Sequence, residues 1–262
     1  VLDENDNSIW EEVFPREKMI KMRDHSGTAM RELFYSQYQQ QPIASAFYTF
    51  REEWLQFYGG WNNTMNGNIY ITVDPAHSKK KDSDYTVICA IALCEDQNYY
   101  LVDMVRDKLN MKEKTEMLFQ FVKLYNPINI GYERYGMQSD IECIKDEQDR
   151  LNFRFRITEL AGKISKNERI RTLQPQFELG KWYLPKQIIR QNYENMNVNI
   201  IKDFIEEEYK THPSTKNHDD ALDCMARIND PDLKAAFPTP NIDFYHSEDN
   251  DSDEYGQNSI GY

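Results

Sequence analysis

The sequence predicts a mixed α/β fold in which one β-sheet is flanked by helices. Three runs rich in β-branched and aromatic residues lie close together at 68–74, 85–93 and 98–107. The apolar period then becomes helical at 111–125, and an apolar run, NPINIGYE at 126–133, ends in an acid. Three strands with tight links predict an antiparallel meander, and a strand after a helix predicts a parallel crossover onto the same sheet.

The remaining elements follow the meander and the crossover. After the fourth strand we expect a helix at about 137–151, a fifth strand within FRFRITEL (153–160), a helix interrupted by Pro175 within 167–180, a short strand or hairpin arm in GKWYLP, a helix over 193–210, and a last helix between NHDD and NDPD. Together these elements indicate one mixed sheet with helices around it.

Composition divides the chain into three regions. Residues 1–66 contain helical pieces without one continuous pattern and end in the Gly and Asn cluster GGWNNTMNGN, 67–230 carry the α/β pattern, and 231–262 form a tail with the acidic, weakly hydrophobic composition of a disordered segment. The four cysteines show neither a C-x-x-C pair nor zinc-ligand spacing, and no apolar run approaches the ~18 residues of a membrane span. We therefore expect reduced thiols and a cytoplasmic protein.

Charge is distributed unevenly along the chain. The net charge is -13, yet the stretch from Arg150 to Arg190 contains ten Lys and Arg against three Glu. Such a stretch favours contact with a polyanion, although a solvated helix face is the ordinary alternative for each single residue. The candidate phosphate contacts are Lys163, Lys166, Arg169 and Arg171, with Lys79, Lys80 and Lys81 as a second group.

Acidic residues stand where predicted elements begin or end. Asp74 ends the first strand, Glu133 ends the fourth, and HDDALD places Asp219, Asp220 and Asp223 at the start of the last helix. If the first and fourth strands are parallel neighbours, these acids meet at one sheet edge. Crowded carboxylates cost several kcal/mol unless raised pKa values or a cation neutralise them. Turn chemistry for Asp74, and helix capping for the other acids, are the structural alternatives.

A family resemblance rests on several stretches in the same order. IYITVDPAHSKKKDSDYTVICAIAL, INIGYERYG, KISKNERIRTLQPQFELGKWYLP and NHDDALDCMARI resemble the nuclease domain of the large terminase subunit of tailed bacteriophages. SIWEEVFPREKM and FYSQYQQQP are similar to the segment that joins the ATPase and nuclease domains of that family. The sequence has no G-x-x-x-x-G-K-[ST] phosphate loop, so we expect the ATPase domain to lie outside this chain.

The resemblance implies a ribonuclease H-like fold and a metal-dependent endonuclease that cuts concatemeric double-stranded viral DNA. Two Mg²⁺ or Mn²⁺ ions are the implied cofactors, consistent with oxygen-only ligands. The resemblance implies that Asp74 lies between both ions, that Glu133 is the second acidic ligand, and that Asp219 or Asp220 is the third. Asp84 resembles an auxiliary acid near the site, with a solvated loop aspartate as its alternative. We expect Asp223 to support the ligands from behind. His218 is expected to contact a phosphate or orient a ligand, with a plain surface histidine as the alternative.

The resemblance also implies partners and a location. Viral DNA, the portal protein and the small terminase subunit are the expected partners, in the host cell cytoplasm on the procapsid, and the isolated domain is expected to be monomeric. Two alternatives stay open at this point. One is another ribonuclease H-like phosphoryl-transfer enzyme, of the integrase, transposase or resolvase type. The other is a non-catalytic portal-docking module in which the carboxylates are surface charge.

Overall fold

A seven-stranded mixed β-sheet lies at the centre of the computed structural model, which describes residues 1–3, 5–24, 34–39, 50–62, 65–76, 84–134, 138–161, 164–213 and 218–239. The strand order is β1-β7-β4-β3-β2-β5-β6. The strands are β1 Gln56–Tyr58, β2 Gly67–Asp74, β3 Thr86–Cys94, β4 Tyr99–Asp107, β5 Asn129–Glu133, β6 Ile157–Leu160 and β7 Trp182–Pro185. A separate two-stranded hairpin consists of β8 Ile189–Gln191 and β9 Asn197–Asn199.

The predicted meander is confirmed. β2 pairs with β3, and β3 pairs with β4, both antiparallel. Every residue of β3 is buried. The run TVICAIALC has no apolar and polar alternation because helices cover both faces of this central strand.

Parallel pairing places the ends of β2 and β5 at the same edge of the sheet. β5 pairs with β2 in parallel, and β6 pairs with β5 in parallel. The connecting helices are α2, Met111–Tyr125, and α3, Gln138–Leu151. Helix α2 starts at a capping box in which Asn110 and Glu113 bond each other's backbone N–H groups. The predicted crossover is therefore confirmed, and it positions Asp74 beside Glu133.

The other helical elements are short. They are α1 Arg16–Asp24, a π-helical turn Phe34–Tyr38, a 3₁₀ turn Glu52–Trp54, α4 Lys166–Arg171, α5 Gln174–Glu178, α6 Ile200–Asp203, a π-helical segment Phe204–Tyr209, α7 Asp220–Ala226 and a 3₁₀ turn Arg227–Asn229. Within the described ranges, no helix has both the length and the apolar character needed to cross a membrane.

Two predicted helices differ from the structure. The helix expected over 193–210 begins at Ile200, since the hairpin of β8 and β9 precedes it and the Asn199 side chain accepts the N–H of Ile201 as an N-cap. Asn195 lies in the left-handed region at φ 62°, a turn conformation that asparagine tolerates. The helix expected over 167–180 is two helices, and Pro175 lies in the first turn of the second, where its missing N–H costs nothing.

Helices cover the two faces of the sheet with two separate apolar layers. On one face, α4 to α7 pack on side chains such as Leu101 and Trp182. On the other face, α2 and α3 pack on side chains such as Ile71 and Ile88. Helix α7 is tied directly to the sheet because the Cys224 thiol donates to the Thr72 carbonyl oxygen at 3.2 Å. The residues of α7 are therefore fixed relative to the end of β2.

A buried carboxylate holds the start of α7. Glu208 is fully buried and accepts the backbone N–H groups of Ala221 at 2.8 Å and Leu222 at 3.2 Å. Its other oxygen accepts Arg106 Nε at 2.6 Å. Asp219, the residue at the N-cap position of α7, makes no side-chain cap hydrogen bond. Capping of this helix therefore comes from Glu208, far along the chain, and not from the aspartates of HDDALD.

Replacing Glu208 by Ala should lower the free energy of unfolding by about 3 to 5 kcal/mol, because it leaves the buried Arg106 guanidinium without its carboxylate. Glu207 provides a matched control. It lies 2.8 Å from the same guanidinium, but its side chain is 53% exposed against 0% for Glu208. Glu207→Ala should cost no more than about 1 kcal/mol. Urea unfolding followed by tryptophan fluorescence measures both, and equal losses would contradict the assignment of Glu208.

Candidate active site

Three carboxylates that are far apart in the chain converge at one sheet edge. Asp74 is the last residue of β2, Glu133 is the last residue of β5, and Asp223 lies in α7, which packs on β2 and β3. One oxygen from each of these side chains lies within 4.8 Å of the others. Glu133 and Asp223 are buried, and Asp74 is half-buried. We call these three residues the inner acidic group.

A second group lies at the N-terminal end of α7. Ligand atoms of Asp84, His218 and Asp220 also lie within 4.8 Å of one another. His218 Nδ1 is 3.5 Å from Asp220 Oδ2 and 3.7 Å from Asp84 Oδ1. Asp220 is buried, whereas Asp84 is exposed. We call these residues the outer group, and α7 joins it to the inner group because Asp220 and Asp223 are three residues apart on one helix.

The structure separates the three aspartates of HDDALD. Asp223 belongs to the inner acidic group and Asp220 to the outer group. Asp219 belongs to neither of these two groups of described residues, and its carboxylate lies 2.6 Å from Lys166 Nζ. The ligand roles of these aspartates stay a prediction, in which Asp219 or Asp220 is the third ligand and Asp223 lies behind the ligands. In the structure, Asp223 lies with Asp74 and Glu133, whereas Asp219 does not. The reason is the α7 register, which turns position 223 toward the sheet edge while 219 precedes the helix.

Basic side chains balance the acids. Arg169 binds Asp223 through two hydrogen bonds, Nε to Oδ1 at 2.8 Å and Nη2 to Oδ2 at 2.6 Å. Glu133 contacts Arg169 Nη2 at 3.4 Å and also pairs with Arg227. Lys166 Nζ lies 2.6 Å from Asp219 and 2.8 Å from Asp220. Paired and bidentate contacts of this kind offset part of the cost of burying charged groups.

Burial and like charge act most strongly on Asp74. Burial raises the pKa of Asp74 well above its ordinary value, and the nearby Glu133 carboxylate raises it further. For Lys166 burial acts to lower the pKa, but Asp220 and Asp219 outweigh it, so that the pKa is raised. The pKa of Arg169 is raised in the same way, since its bond to Asp223 outweighs burial. Lys166 and Arg169 are therefore cationic. A further cation near Asp74 would stabilise its ionised form and lower its pKa.

The donor set fits a hard divalent cation. The inner acidic group offers only carboxylate oxygens, the ligands that Mg²⁺ and Mn²⁺ prefer. The outer group adds an imidazole nitrogen to two carboxylates, which Mn²⁺ also accepts. The raised pKa of Asp74 agrees with this fit, because it marks a carboxylate whose charge the protein alone does not fully balance.

The basic residues expected to contact phosphates have different positions. Lys166 and Arg169 point at the acids, and Arg169 is buried. Arg171 is exposed at the end of α4. Lys79, Lys80, Lys81 and Lys163 lie outside the described residues. A role of these side chains in DNA binding stays a prediction.

Sequence reasoning missed two residues that support the site. Arg227, which pairs with Glu133, lies one helical turn after Asp223, but this i, i+4 spacing would have predicted a pair with Asp223 and not the observed contact with Glu133. Glu208, which caps α7, stands in the run EEEY, where no local pattern separates it from the neighbouring acids. Only the tertiary structure shows that this one glutamate is buried.

Comparison with known proteins gives one family and a set of similar structures. Residues 71–229 match the model of the terminase RNaseH-like domain. The large terminase nuclease from thermophilic phage G20c with bound magnesium has 15% identity and a TM-score of 0.42, over 66% of this chain and 91% of that chain. The HK97 bacteriophage large terminase has 7% identity and a TM-score of 0.43, over 66% of this chain and 40% of that chain. The yeast mitochondrial Holliday junction resolvase Ydc2 has 12% identity and a TM-score of 0.37, over 62% of this chain and 76% of that chain. The sequence has no significant match among curated proteins.

The family match covers more than half of the chain and includes every member of both acidic groups. It confirms the expected ribonuclease H-like fold, in agreement with the mixed sheet and its parallel β2 and β5 pair. The chain therefore belongs to the terminase family that carries a ribonuclease H-like domain, and its resemblance to the C-terminal nuclease domain of large terminase subunits is confirmed.

Proposed function

We propose that this chain is a divalent-metal-dependent endonuclease that hydrolyses double-stranded DNA during viral genome packaging. The observation that carries the proposal is the convergence of Asp74, Glu133 and Asp223 from two parallel strands and a helix, within 4.8 Å of one another. A surface-charge reading of the acids does not account for this arrangement, since two of the three are buried. The family match supports the reaction class.

The two acidic groups have different roles in this proposal. The inner group and Asp220 would hold Mg²⁺ or Mn²⁺, while Asp84 and His218 complete the outer group next to Asp220. Bound divalent ions supply Lewis-acid chemistry at such a site, activating water and neutralising charge at the phosphate. Asp219 lies outside the ligand set and orients Lys166 instead.

The protein's own residues perform the positioning. Arg169 and Arg227 fix the carboxylates of Asp223 and Glu133 from the buried side, so that these oxygens keep one orientation. Helix α7 is fixed by the Glu208 cap and by the Cys224 contact with β2. A rigid ligand set of this kind reduces the cost of assembling the site when a cation and a phosphate arrive.

DNA contact and partners belong to the same proposal. The basic stretch between Arg150 and Arg190 would contact phosphates, with weak sequence preference because such contacts read no bases. The portal protein and the small terminase subunit are the proposed partners, on the procapsid in the host cytoplasm. A resolvase-type enzyme would use a similar site, so a branched DNA substrate tests that alternative beside a plasmid.

Replacing Asp74 by Asn should strongly slow metal-dependent nicking. The wild-type chain should nick supercoiled plasmid with Mn²⁺ or Mg²⁺. Asp74→Asn should slow the nicking rate by about 100-fold or more, because loss of a residue that only supports a metal ligand typically costs roughly 10- to 100-fold. Asp146→Asn, a change at an exposed position of α3, is the matched control. Gel analysis of relaxed and linear plasmid measures the rates. Equal activity of wild type and Asp74→Asn, or no activity in either, would remove the catalytic assignment.

The separation of Asp219 from Asp223 gives a second test. Asp223→Asn should reduce nicking by about 100-fold or more, because it removes an oxygen ligand of the inner acidic group. Asp219→Asn should reduce nicking by less than about 10-fold, because Asp219 contacts Lys166 and His212 and lies outside both acidic groups. The same plasmid assay with circular dichroism to verify folding measures both variants. A larger loss in Asp219→Asn would return Asp219 to the ligand set.

Salt should weaken DNA binding. For the Asp74→Asn protein and a short duplex, the logarithm of the association constant should fall linearly with the logarithm of the salt concentration. Arg171→Gln should reduce that slope by about 1 if Arg171 contacts a phosphate. Lys112→Gln, at an exposed position of α2, is the control. Fluorescence anisotropy measures the slopes on two unrelated duplexes, and a slope near zero would contradict binding through the basic stretch.

A further inference from the structure

Lys166 occupies an unusual place between two carboxylates of the candidate site. Its Nζ lies 2.6 Å from Asp219 Oδ1 and 2.8 Å from Asp220 Oδ1. Its side chain is 36% exposed, whereas that of Asp220 is 6% exposed. The ammonium group therefore reaches a buried carboxylate from the solvent side.

The two oxygens of Asp220 are both engaged. Oδ2 accepts the backbone N–H of Tyr85 at 3.1 Å, and Oδ1 accepts Lys166 at 2.8 Å. The Tyr85 bond belongs to the main chain just before β3 and cannot move without moving the strand. A divalent ion that binds Oδ1 of Asp220 would have to share that oxygen with the Lys166 ammonium group or displace it.

The three basic residues of the site differ in their freedom to move. The Arg169 side chain is 9% exposed, bonds Asp223 twice, and donates to the Ile164 carbonyl oxygen at 2.8 Å. The Arg227 side chain is 1% exposed. Both guanidinium groups are held from several sides, and a planar guanidinium fork loses little freedom in such a geometry. Lys166 is a single point charge at the end of a flexible stem, so it is the member of this set that can leave.

The backbone that carries Lys166 is fixed. Helix α4 begins at a capping box formed by Ser165 and Glu168, and the next residues, Arg169 and Ile170, are buried. Movement is thus confined to the Lys166 side chain. Asp219 belongs to neither acidic group. It provides a second anchor, to which the Lys166 ammonium group can remain bound after it leaves Asp220.

We infer that Lys166 is a tethered counter-ion that competes with a divalent cation for Asp220 and shifts toward Asp219 when the cation binds. This inference rests on the proposed function, since it needs Asp220 to be a cation ligand. Lys166 stabilises the acids before the ion arrives and weakens the binding of that ion. Two like charges so close repel each other, so occupation of Asp220 by one cation disfavours the other.

Manganese binding to the full chain tests this inference. Isothermal titration with Mn²⁺ compares the wild type with Lys166→Met, Lys166→Arg and the control Lys112→Met, whose lysine is 83% exposed on α2. Lys166→Met should bind Mn²⁺ more tightly by on the order of 10-fold, the effect of removing one competing charge interaction of about 1.4 kcal/mol. Lys166→Arg and Lys112→Met should bind like the wild type.

A second readout does not use metal affinity. In the presence of a chelator, Lys166→Met should have a lower melting temperature than Lys112→Met, because Asp219 and Asp220 then face each other without the ammonium group. If Lys166→Met does not fold, Lys166→Gln replaces it in both measurements.

The outcomes separate the inference from the proposed function. Tighter Mn²⁺ binding in Lys166→Met alone supports the inference. Equal Mn²⁺ affinity in the wild type and Lys166→Met overturns it and leaves the nuclease proposal intact. If neither the wild type nor Lys166→Met binds Mn²⁺, both the inference and the proposed function are overturned. If Lys166→Met binds Mn²⁺ and the wild type shows no detectable binding, both are supported.

Discussion

The crowding of carboxylates at one sheet edge is the constraint on which the rest of the structure depends. Parallel pairing of β2 and β5 forces Asp74 and Glu133 to the same edge, and packing of α7 on that edge adds Asp223. Negative charge at this density opposes folding, because burial and mutual repulsion both disfavour the ionised forms. The raised pKa of Asp74, caused first by burial and then by Glu133, agrees with that cost.

The protein meets this cost with basic residues of two kinds. Arg169 and Arg227 are buried, and each pairs with carboxylates of the inner acidic group. Lys166 is partly exposed and approaches from solvent. A buried pair is worth more for geometry than for net stability, since desolvation consumes most of the attraction. The arginines therefore orient the acids, while Lys166 can be exchanged for a divalent cation at Asp220.

Much of the fold could be predicted from local patterns, because each predicted strand of the meander has its own apolar run and its own turn. The crossover to β5 followed from the change of period before NPINIGYE, and it located Asp74 and Glu133 together. The hairpin of β8 and β9 was missed although NMNVN alternates between polar and apolar residues, because this run is short and the following helix extended the apparent helical pattern. The positions of the three aspartates of HDDALD could not be predicted from the sequence either. They depend on how α7 is rotated about its axis relative to the sheet, and the spacing of residues along one helix does not define that rotation.

Helix α7 shows how stability and chemistry are divided between distant residues. Aspartates in a first turn normally stabilise a helix by capping it, yet Asp219 makes no cap bond and Glu208 supplies the acceptors instead. Asp220 and Asp223 are therefore not required to hold their own helix. A carboxylate that caps its own helix has an oxygen turned toward the first-turn N–H groups of that helix. Because Glu208 and its buried partner Arg106 supply the cap, Asp223 faces the sheet edge, while Asp220 accepts the N–H of Tyr85 and belongs to the outer group.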